Sequence, residues 1–201
     1  MAAFFQSLGK TITAGVVLLI VLLLILVSLG GQVNIGDKAW WAFAMRWLHV
    51  ASGVMWIGLL WYFNFVQTPS MPKIPDSEKP AITKVIAPTA LFWFRWAAMA
   101  TIILGLILSM HNGYFADAVI LKKPYTGIGL GMWLGTIMWF NVWFIIWPNQ
   151  KKVLGIVTVE AAEKAAAAKR AGMASRINTM LSIPMLYFMV AQQHFGIVFP
   201  T

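Results

Sequence analysis

Five stretches of the sequence are long and apolar enough to cross a membrane as helices. A span needs about 20 largely apolar residues, and the predicted spans cover residues 11–30, 40–66, 86–110, 127–147 and 177–200. The second contains Arg46 as its only charged residue, the third contains Arg95, and the other three contain none. This pattern predicts an all-α fold: a polytopic integral membrane helical bundle forming a single transmembrane domain over residues 1–201.

The composition agrees with a membrane protein. Hydrophobic residues make up 60% of the chain and charged residues 10%, whereas soluble domains have about 25% charged residues. The sequence has no cysteine, which excludes disulfides, thiolate metal sites and covalent attachment of c-type haem. The net charge of +9 fits basic loops at anionic headgroups, so we expect membrane lipids and no nucleic acid among the partners.

The basic residues are distributed unequally between the loops, which predicts an orientation. Lys and Arg accumulate in cytoplasmic loops. One side of the predicted bundle has only Lys38, Lys122 and Lys123. The other side has Lys10, Lys73, Lys79, Lys84, Lys151, Lys152, Lys164, Lys169, Arg170 and Arg176. We therefore expect the N-terminus in the cytoplasm and the C-terminus outside it, with the first span retained as a helix.

Two predicted cytoplasmic connectors differ in composition. The stretch "VEAAEKAAAAKRAG" favours a short helix that ends near Gly172, so we expect an Ala-rich connector over about 153–172. The stretch "TPSMPKIPDSEKP" has four prolines in thirteen residues, which predicts a turn without helix. We expect both to be partner contacts or lipid-facing connectors.

The three histidines of the chain fall on one side of the predicted bundle. With the C-terminus outside, His49 lies about 13 Å and His194 about 10 Å from the outer end of its span at 1.5 Å per residue. His111 lies at the outer surface. All three are therefore predicted in or at the outer leaflet.

The surroundings of His49 indicate a binding site. Arg46, His49, Gly53 and Trp56 are spaced 3, 4 and 3 residues apart, which places them on one stripe of a helix. Because Gly53 has no side chain, a bulky group can approach the helix at this position. An ionisable residue inside a span indicates function and requires a partner.

Three chemistries suit this arrangement. Two imidazoles on different helices, His49 and His194, can ligate the iron of haem b, with Arg46 near a propionate and Gly53 admitting the macrocycle. A copper or zinc site would add His111 as a third ligand. Alternatively, each imidazole forms a hydrogen bond to a neighbouring helix and only stabilises the bundle.

Arg95 has no acidic residue in any predicted span to pair with. Its candidate partners are backbone carbonyls, Asn64, Asn141, the phosphate of a bound lipid or a cofactor carboxylate. Alternatively, the long side chain extends to the inner face.

Three long motifs resemble one family. The stretches "RWLHVASGVMWIG", "FNVWFIIWPNQKKVLG" and "SRINTMLSIPMLYFMVAQQH" are similar to the membrane domain of the bacterial cytochrome-linked urate oxidases, also called urate hydroxylases. The resemblance covers predicted spans two, four and five in the same order. The chain looks like a short form of that family that lacks the c-type cytochrome domain, because it contains no Cys-x-x-Cys-His motif.

The resemblance extends to individual residues. Arg46 and His49 match the family's Arg-Trp-Leu-His element, and "SMPKIPDSEKP" stands where the family has a Gly-rich loop that contains histidine. The other matching residues are Asn141, Trp143, Pro148, Gln150, Lys151, Arg176, Asn178, Pro184 and His194. The resemblance implies a protein of the bacterial cytoplasmic (inner) membrane and a c-type cytochrome or quinol as partner.

These observations leave three expectations for function. The first is an integral membrane subunit of an electron-transfer or energy-converting complex that binds haem b in the outer leaflet. The second is an accessory or scaffold subunit without a cofactor that binds other membrane subunits of a larger assembly. The third is an oxidase of urate or a similar heterocycle.

Overall fold

The computed structural model describes residues 2–192 and 194, and this part of the chain is helical without any strand. We number the helices it contains α1 to α7. They are α1 Ala2–Phe5, α2 Leu8–Ser28, α3 Lys38–Lys73, α4 Lys79–His111, α5 Phe115–Val119, α6 Thr126–Val153 and α7 Ala161–Ala191. The prediction of an all-α fold is confirmed.

Four of these helices are long and apolar enough to cross a membrane: α2, α3, α4 and α6. They coincide with the first four predicted spans. The fifth predicted span, 177–200, begins within α7, but beyond residue 192 only residue 194 belongs to the described part of the chain. The number of spans and the orientation of the termini therefore stay predictions.

The chain divides into two compact units, Met1–Trp41 and Ala42–Thr201. The first contains α2, a 21-residue apolar helix in which no residue is buried. Such a helix, apolar on every side, is typical of contact with lipid or with another apolar surface. A single transmembrane domain over residues 1–201 stays a prediction.

The core of the second unit lies among α3, α4, α6 and α7. Each helix contributes side chains with almost no exposed surface, such as Trp56, Phe94, Met138 and Met185. Helices α6 and α7 approach closely at Gly131, where a Cβ atom would lie 3.3 Å from the backbone nitrogen of Met189. Small residues at such contacts allow the van der Waals packing that holds membrane helices together.

A pair of buried asparagines links α6 and α7 in the middle of this core. The Asn141 amide nitrogen donates to the side-chain oxygen of Asn178 over 2.8 Å, and the Asn178 amide donates to the Met138 carbonyl over 2.9 Å. Asn178 is fully buried. A buried amide needs such partners, because an unpaired one costs about 1–3 kcal/mol.

Three helices widen into π-helix, and each widened segment ends two residues before a proline. The segments are Tyr62–Gln67, Ile82–Ile86 and Asn141–Ile146, and the prolines are Pro69, Pro88 and Pro148. Proline lacks the N–H of an α-helical hydrogen bond, and its ring clashes with the carbonyl four residues earlier. The wider turn relieves both problems, so the helix continues through the proline.

This geometry corrects the prediction of a non-helical turn over the segment "TPSMPKIPDSEKP". Helix α3 runs on to Lys73, its last turn being 3₁₀, and α4 already begins at Lys79. Only a short connection between them is non-helical. The prediction was wrong because it counted prolines without allowing for the π-helical turn before Pro69 and the position of Pro80 in the first turn of α4.

The predicted helix end near Gly172 is also wrong. Helix α7 runs without interruption from Ala161 to Ala191, and the non-helical connection precedes it. A glycine inside a helix costs about 1 kcal/mol relative to alanine. Here Ala167, Ala171 and Ala174 are buried on one side of the helix around Gly172, and this packing outweighs the cost.

Arg95 has a partner that the sequence did not indicate. Its guanidinium carbon lies 3.3 Å from the centroid of the Trp147 ring, and the side chain is 9% exposed. Its Nη1 is buried and has no hydrogen-bond partner within the described residues. A cation stacked on an aromatic face gains about 2 kcal/mol or more when both are desolvated, so Trp147 replaces the missing carboxylate.

Candidate functional site

A cavity of about 580 Å³ lies inside the second unit. Its walls come from the N-terminal halves of α3 and α6 and the C-terminal halves of α4 and α7, so the four helices alternate in direction around it. Arg46, His49, Gly53 and His194 all lie on its walls. We call it the histidine cavity. Its size falls within the roughly 300–1,000 Å³ of small-molecule and cofactor sites.

The orientation of His49 is set by a backbone carbonyl. Its Nδ1 lies 2.8 Å from the carbonyl oxygen of Thr101 on α4. A carbonyl can only accept, so Nδ1 carries the proton, and the neutral ring keeps its lone pair on Nε2. A histidine that ligates a metal almost always donates its other ring nitrogen in this way. His49 therefore has the tautomer of a ligand that coordinates through Nε2.

Gly105 makes room for the His49 ring. A Cβ atom at this position would lie 2.9 Å from Cε1 and 3.1 Å from Nδ1 of the imidazole. Any larger residue would therefore push the ring away from the Thr101 carbonyl. Thr101 and Gly105 are one helical turn apart on α4, so a single face of this helix both orients His49 and leaves space for it.

Arg46 and Gly53 flank His49 on α3, as the spacing predicted. Arg46 is half-buried on the cavity wall one turn before His49. Gly53 lies one turn after it, and a Cβ atom there would meet only the Thr101 methyl group, at 3.9 Å. This is an ordinary contact, so Gly53 leaves the wall smooth without being required by the packing.

His194 lies on the wall of the same cavity and is exposed. Two residues before His194, the side-chain oxygen of Gln192 accepts a hydrogen bond from the Ile128 N–H over 3.2 Å. The Gln192 amide nitrogen donates to the Pro124 carbonyl, also over 3.2 Å. Gln192 therefore anchors the end of α7 to the start of α6, two residues before His194.

His111, the third candidate ligand, is the last residue of α4 and is absent from the described lining of the histidine cavity. Within residues 2–192 and 194, no group of three or more His, Cys, Asp or Glu residues could hold a metal ion. The structure thus brings His49 and His194 to one cavity and leaves His111 outside its described walls.

Tyr114 closes the cavity near Arg46. Its ring stacks on Tyr125, with 5.4 Å between the ring centroids. Burial raises the pKa of the Tyr114 phenol, although the nearby positive charge of Arg46 acts in the opposite direction. The Tyr114 phenol therefore stays protonated and neutral at neutral pH. Arg46 is the positively charged residue beside it on the described cavity wall.

Four residues of this site escaped the sequence analysis: Thr101, Gly105, Tyr114 and Gln192. Thr101 acts through its backbone, which no side-chain pattern reports. Gly105 lies in the apolar run "IILGLIL" and resembles an ordinary packing glycine. Only Gln192 gave a signal, because it is a polar residue late in an apolar helix.

Chemically, the cavity combines an oriented imidazole with a free lone pair, a second imidazole and one cation, among mainly apolar walls. This set could hold a metal centre through its imidazoles and pair with an anionic substituent. The described lining has no carboxylate.

Comparison with known proteins adds one relation. No curated protein and no solved structure matches the chain. One family, described as "Urate oxidase N-terminal", matches residues 114–201, which is less than half of the chain. The matched part contains α5, α6 and α7 and the cavity residues Tyr114 and His194, but neither Arg46 nor His49. Residues 114–201 thus relate the chain to the urate oxidase family through its N-terminal domain.

Proposed function

We propose that the chain is an integral membrane electron-transfer subunit that binds haem b in the histidine cavity. The observation that carries the proposal is the hydrogen bond from His49 Nδ1 to the Thr101 carbonyl, because it leaves Nε2 of a half-buried imidazole ready to coordinate. His194, which lies on the same cavity wall, would supply the second imidazole. Haem b needs no cysteine, in agreement with the composition.

Each residue of the site has a distinct part in this proposal. His49 and His194 would hold the iron, and Gly105 leaves the space that the His49 ring occupies. Arg46 pairs with a propionate at the end of the cavity near Tyr114. When bound, haem b would supply one-electron redox chemistry. The apolar walls exclude water and tune the potential of the iron.

The partners follow from the resemblance to the cytochrome-linked urate oxidases. In that family the membrane domain works with a c-type cytochrome outside the cytoplasmic membrane. We infer that this chain exchanges electrons with a separate c-type cytochrome or with a quinol, as part of a larger assembly. This requires the bacterial cytoplasmic membrane, the N-terminus inside and the histidine cavity in the outer leaflet.

The test is the reduced-minus-oxidised absorption spectrum of the full chain, purified from membranes supplied with haem. We expect a b-type α-band in the wild type and in His111→Ala. His49→Ala and His194→Ala should each abolish it, because one imidazole alone does not complete the axial ligation. Gly105→Ala should weaken haem binding by roughly tenfold or more through displacement of a ligand.

Two outcomes would contradict the proposal. A wild-type protein that is folded but shows no α-band favours the cofactor-free scaffold, in which the Thr101 hydrogen bond only ties α3 to α4. A band that survives both His49→Ala and His194→Ala would place the haem elsewhere. Thermal unfolding of each variant in detergent separates loss of the ligand from loss of the fold.

A second candidate function is oxidation of urate or a similar heterocycle in the same cavity. It is supported by the match of residues 114–201 to the urate oxidase N-terminal family. Arg46 would then pair with the anionic purine. The measurement is the loss of urate absorbance on incubation with membranes that contain the chain and an electron acceptor. Wild-type membranes should consume urate faster than Arg46→Gln membranes, and equal rates would exclude this function.

A further inference from the structure

A second cavity, of about 680 Å³, lies at the other end of the same four helices. It uses the C-terminal halves of α3 and α6 and the N-terminal halves of α4 and α7, the reverse of the histidine cavity. We call it the basic cavity, because Lys169 and Arg176 are the charged residues of its described lining. In the orientation predicted from the loops, it faces the cytoplasmic leaflet.

The two cations are available to a ligand. Both are exposed, and neither forms an ion pair with any residue in the described part of the chain. The described lining contains no Asp or Glu. By contrast, Lys152 on α6 is already bonded to Glu163. The basic cavity therefore has an uncompensated charge of two, which favours an anion.

The spacing of the cations suits one extended anionic group. They are seven residues apart on α7, which is two helical turns and about 10 Å along the axis, on nearly the same face. Both side chains are long and flexible, so their ends can converge on one phosphate. Arg176 in particular offers the planar fork that binds phosphate oxygens in pairs.

Two neutral polar residues beside the cations, Asn64 and Ser175, are hydrogen-bonded to each other within the protein. The Asn64 amide nitrogen donates to the Leu60 carbonyl and to the Ser175 hydroxyl, over 2.9 and 2.8 Å. The rest of the wall is mainly apolar, with Phe63, Leu91 and Phe94 among its residues. A ligand that fills the cavity thus needs an anionic head and an apolar body.

We propose that the basic cavity binds an anionic phospholipid, with its phosphate between Lys169 and Arg176 and an acyl chain along the apolar wall. Charge complementarity selects the headgroup, since the lining offers cations and no carboxylate. The apolar wall selects a lipid over free phosphate, which would leave that surface uncovered. This proposal does not depend on haem, which would bind at the opposite end of the bundle.

The experiment counts lipids bound to the full chain in detergent micelles by native mass spectrometry, during titration with phosphatidylglycerol or phosphatidylcholine. The test variant is Lys169→Gln/Arg176→Gln. Its matched control is Lys164→Gln/Arg170→Gln, which removes the same charge from exposed positions of α7 outside the described lining. We expect the test variant to bind phosphatidylglycerol roughly thirtyfold more weakly, and the control to bind it like the wild type.

Further outcomes decide between the sources of phosphate. Arg176→Lys should keep most of the affinity, which guards against misfolding as the cause of a loss. Equal affinity for both lipids, or equal losses in the test and control variants, would show that α7 only attracts anions diffusely and would overturn the site. Displacement of phosphatidylglycerol by inorganic phosphate at the same concentration would show that a free anion occupies it and would overturn the lipid assignment.

Discussion

The histidine cavity and the basic cavity are built from opposite halves of the same four helices, yet their polar groups are arranged differently. In the histidine cavity, His49 and Gln192 are each tied to backbone atoms of a neighbouring helix. In the basic cavity, Lys169 and Arg176 have no ion-pair partner in the described part of the chain. Fixed groups suit coordination with defined geometry, whereas flexible cations suit a variable anionic headgroup.

The core between the cavities keeps them apart. Asn141 and Asn178 lie there, with Met138 and Met185 packed nearby. The described linings of the two cavities share no residue, and Asn141, Asn178 and Met138 belong to neither lining.

The largest predicted effect concerns the hydrogen-bonded pair Asn141 and Asn178, which links α6 to α7. Asn178→Ala removes two hydrogen bonds and leaves the buried Asn141 amide nitrogen without its acceptor, while the Met138 carbonyl still accepts from the backbone N–H of Asn141. We expect a loss of about 2–3 kcal/mol in the free energy of unfolding. Chemical unfolding in mixed micelles measures it.

The matched control for Asn178→Ala is Asn149→Ala. Its amide donates to the Ile145 carbonyl of its own helix, so its loss should cost less than about 1 kcal/mol. If Asn178→Ala and Asn149→Ala lower the free energy of unfolding equally, the Asn141–Asn178 hydrogen bond does not stabilise the core, and apolar packing alone holds α6 and α7 together there.

An intermediate effect is expected on the histidine side. Gly105→Ala forces the His49 ring to shift, because the new methyl group would lie 2.9 Å from Cε1. Such overpacking costs about 1–3 kcal/mol. Gly53→Ala adds a methyl group to the same cavity at an ordinary 3.9 Å contact and should change the midpoint of thermal unfolding little. A similar effect of both variants would mean that the His49 ring is not fixed as described.

The smallest effect is expected beyond the basic end, in the connection between α3 and α4. Lys79 bonds to Asp76 over 2.6 Å and lowers the pKa of this exposed carboxyl, mainly through the hydrogen bond. A lowered pKa in the folded state adds stability above the unfolded pKa of about 4, and this is lost as the pH falls through the folded pKa.

Unfolding midpoints measured from pH 7 to pH 3, with Asp76→Asn as the reference, check this expectation. The wild type should lose slightly more stability on acidification than the variant, and added salt should reduce the difference. A difference that grows with salt would contradict the ion pair as its cause.

The sequence predicted where the long helices lie and which residues share a helix face. It predicted less well where helices end and which partners their side chains contact. The four long apolar helices and the stripe of Arg46, His49 and Gly53 followed from composition and period. The continuity of α7 through Gly172 did not, because the packing of its alanines is a tertiary effect. The pairing of Arg95 with Trp147 did not follow from the sequence, because an aromatic ring carries no charge that would mark it as the partner of a cation.

At the candidate site, too, the sequence predicted positions along the helices but not the contacts between them. Spacing placed His49 and His194 at one end of the bundle, and the structure puts both on one cavity wall. The hydrogen bond that selects the tautomer of His49 comes from a backbone carbonyl on α4. Backbone partners and the space left by Gly105 depend on how two helices meet, which one-dimensional patterns do not report.

The π-helical segments before Pro69, Pro88 and Pro148 also affect how residue numbers map to helix faces. A π-turn contains one residue more than an α-turn, so everything after it is rotated by about 100° relative to an uninterrupted helix. The 3-4-3 stripe of α3 therefore loses its phase after Tyr62. Deleting one residue from Asn141–Ile146 would rotate the residues from Trp147 onward about the helix axis and move Trp147 away from Arg95. An added insertion after Pro148 would not restore this contact, because Trp147 precedes the proline. In these helices, aligned positions on either side of the proline share a face only if the extra residue is counted.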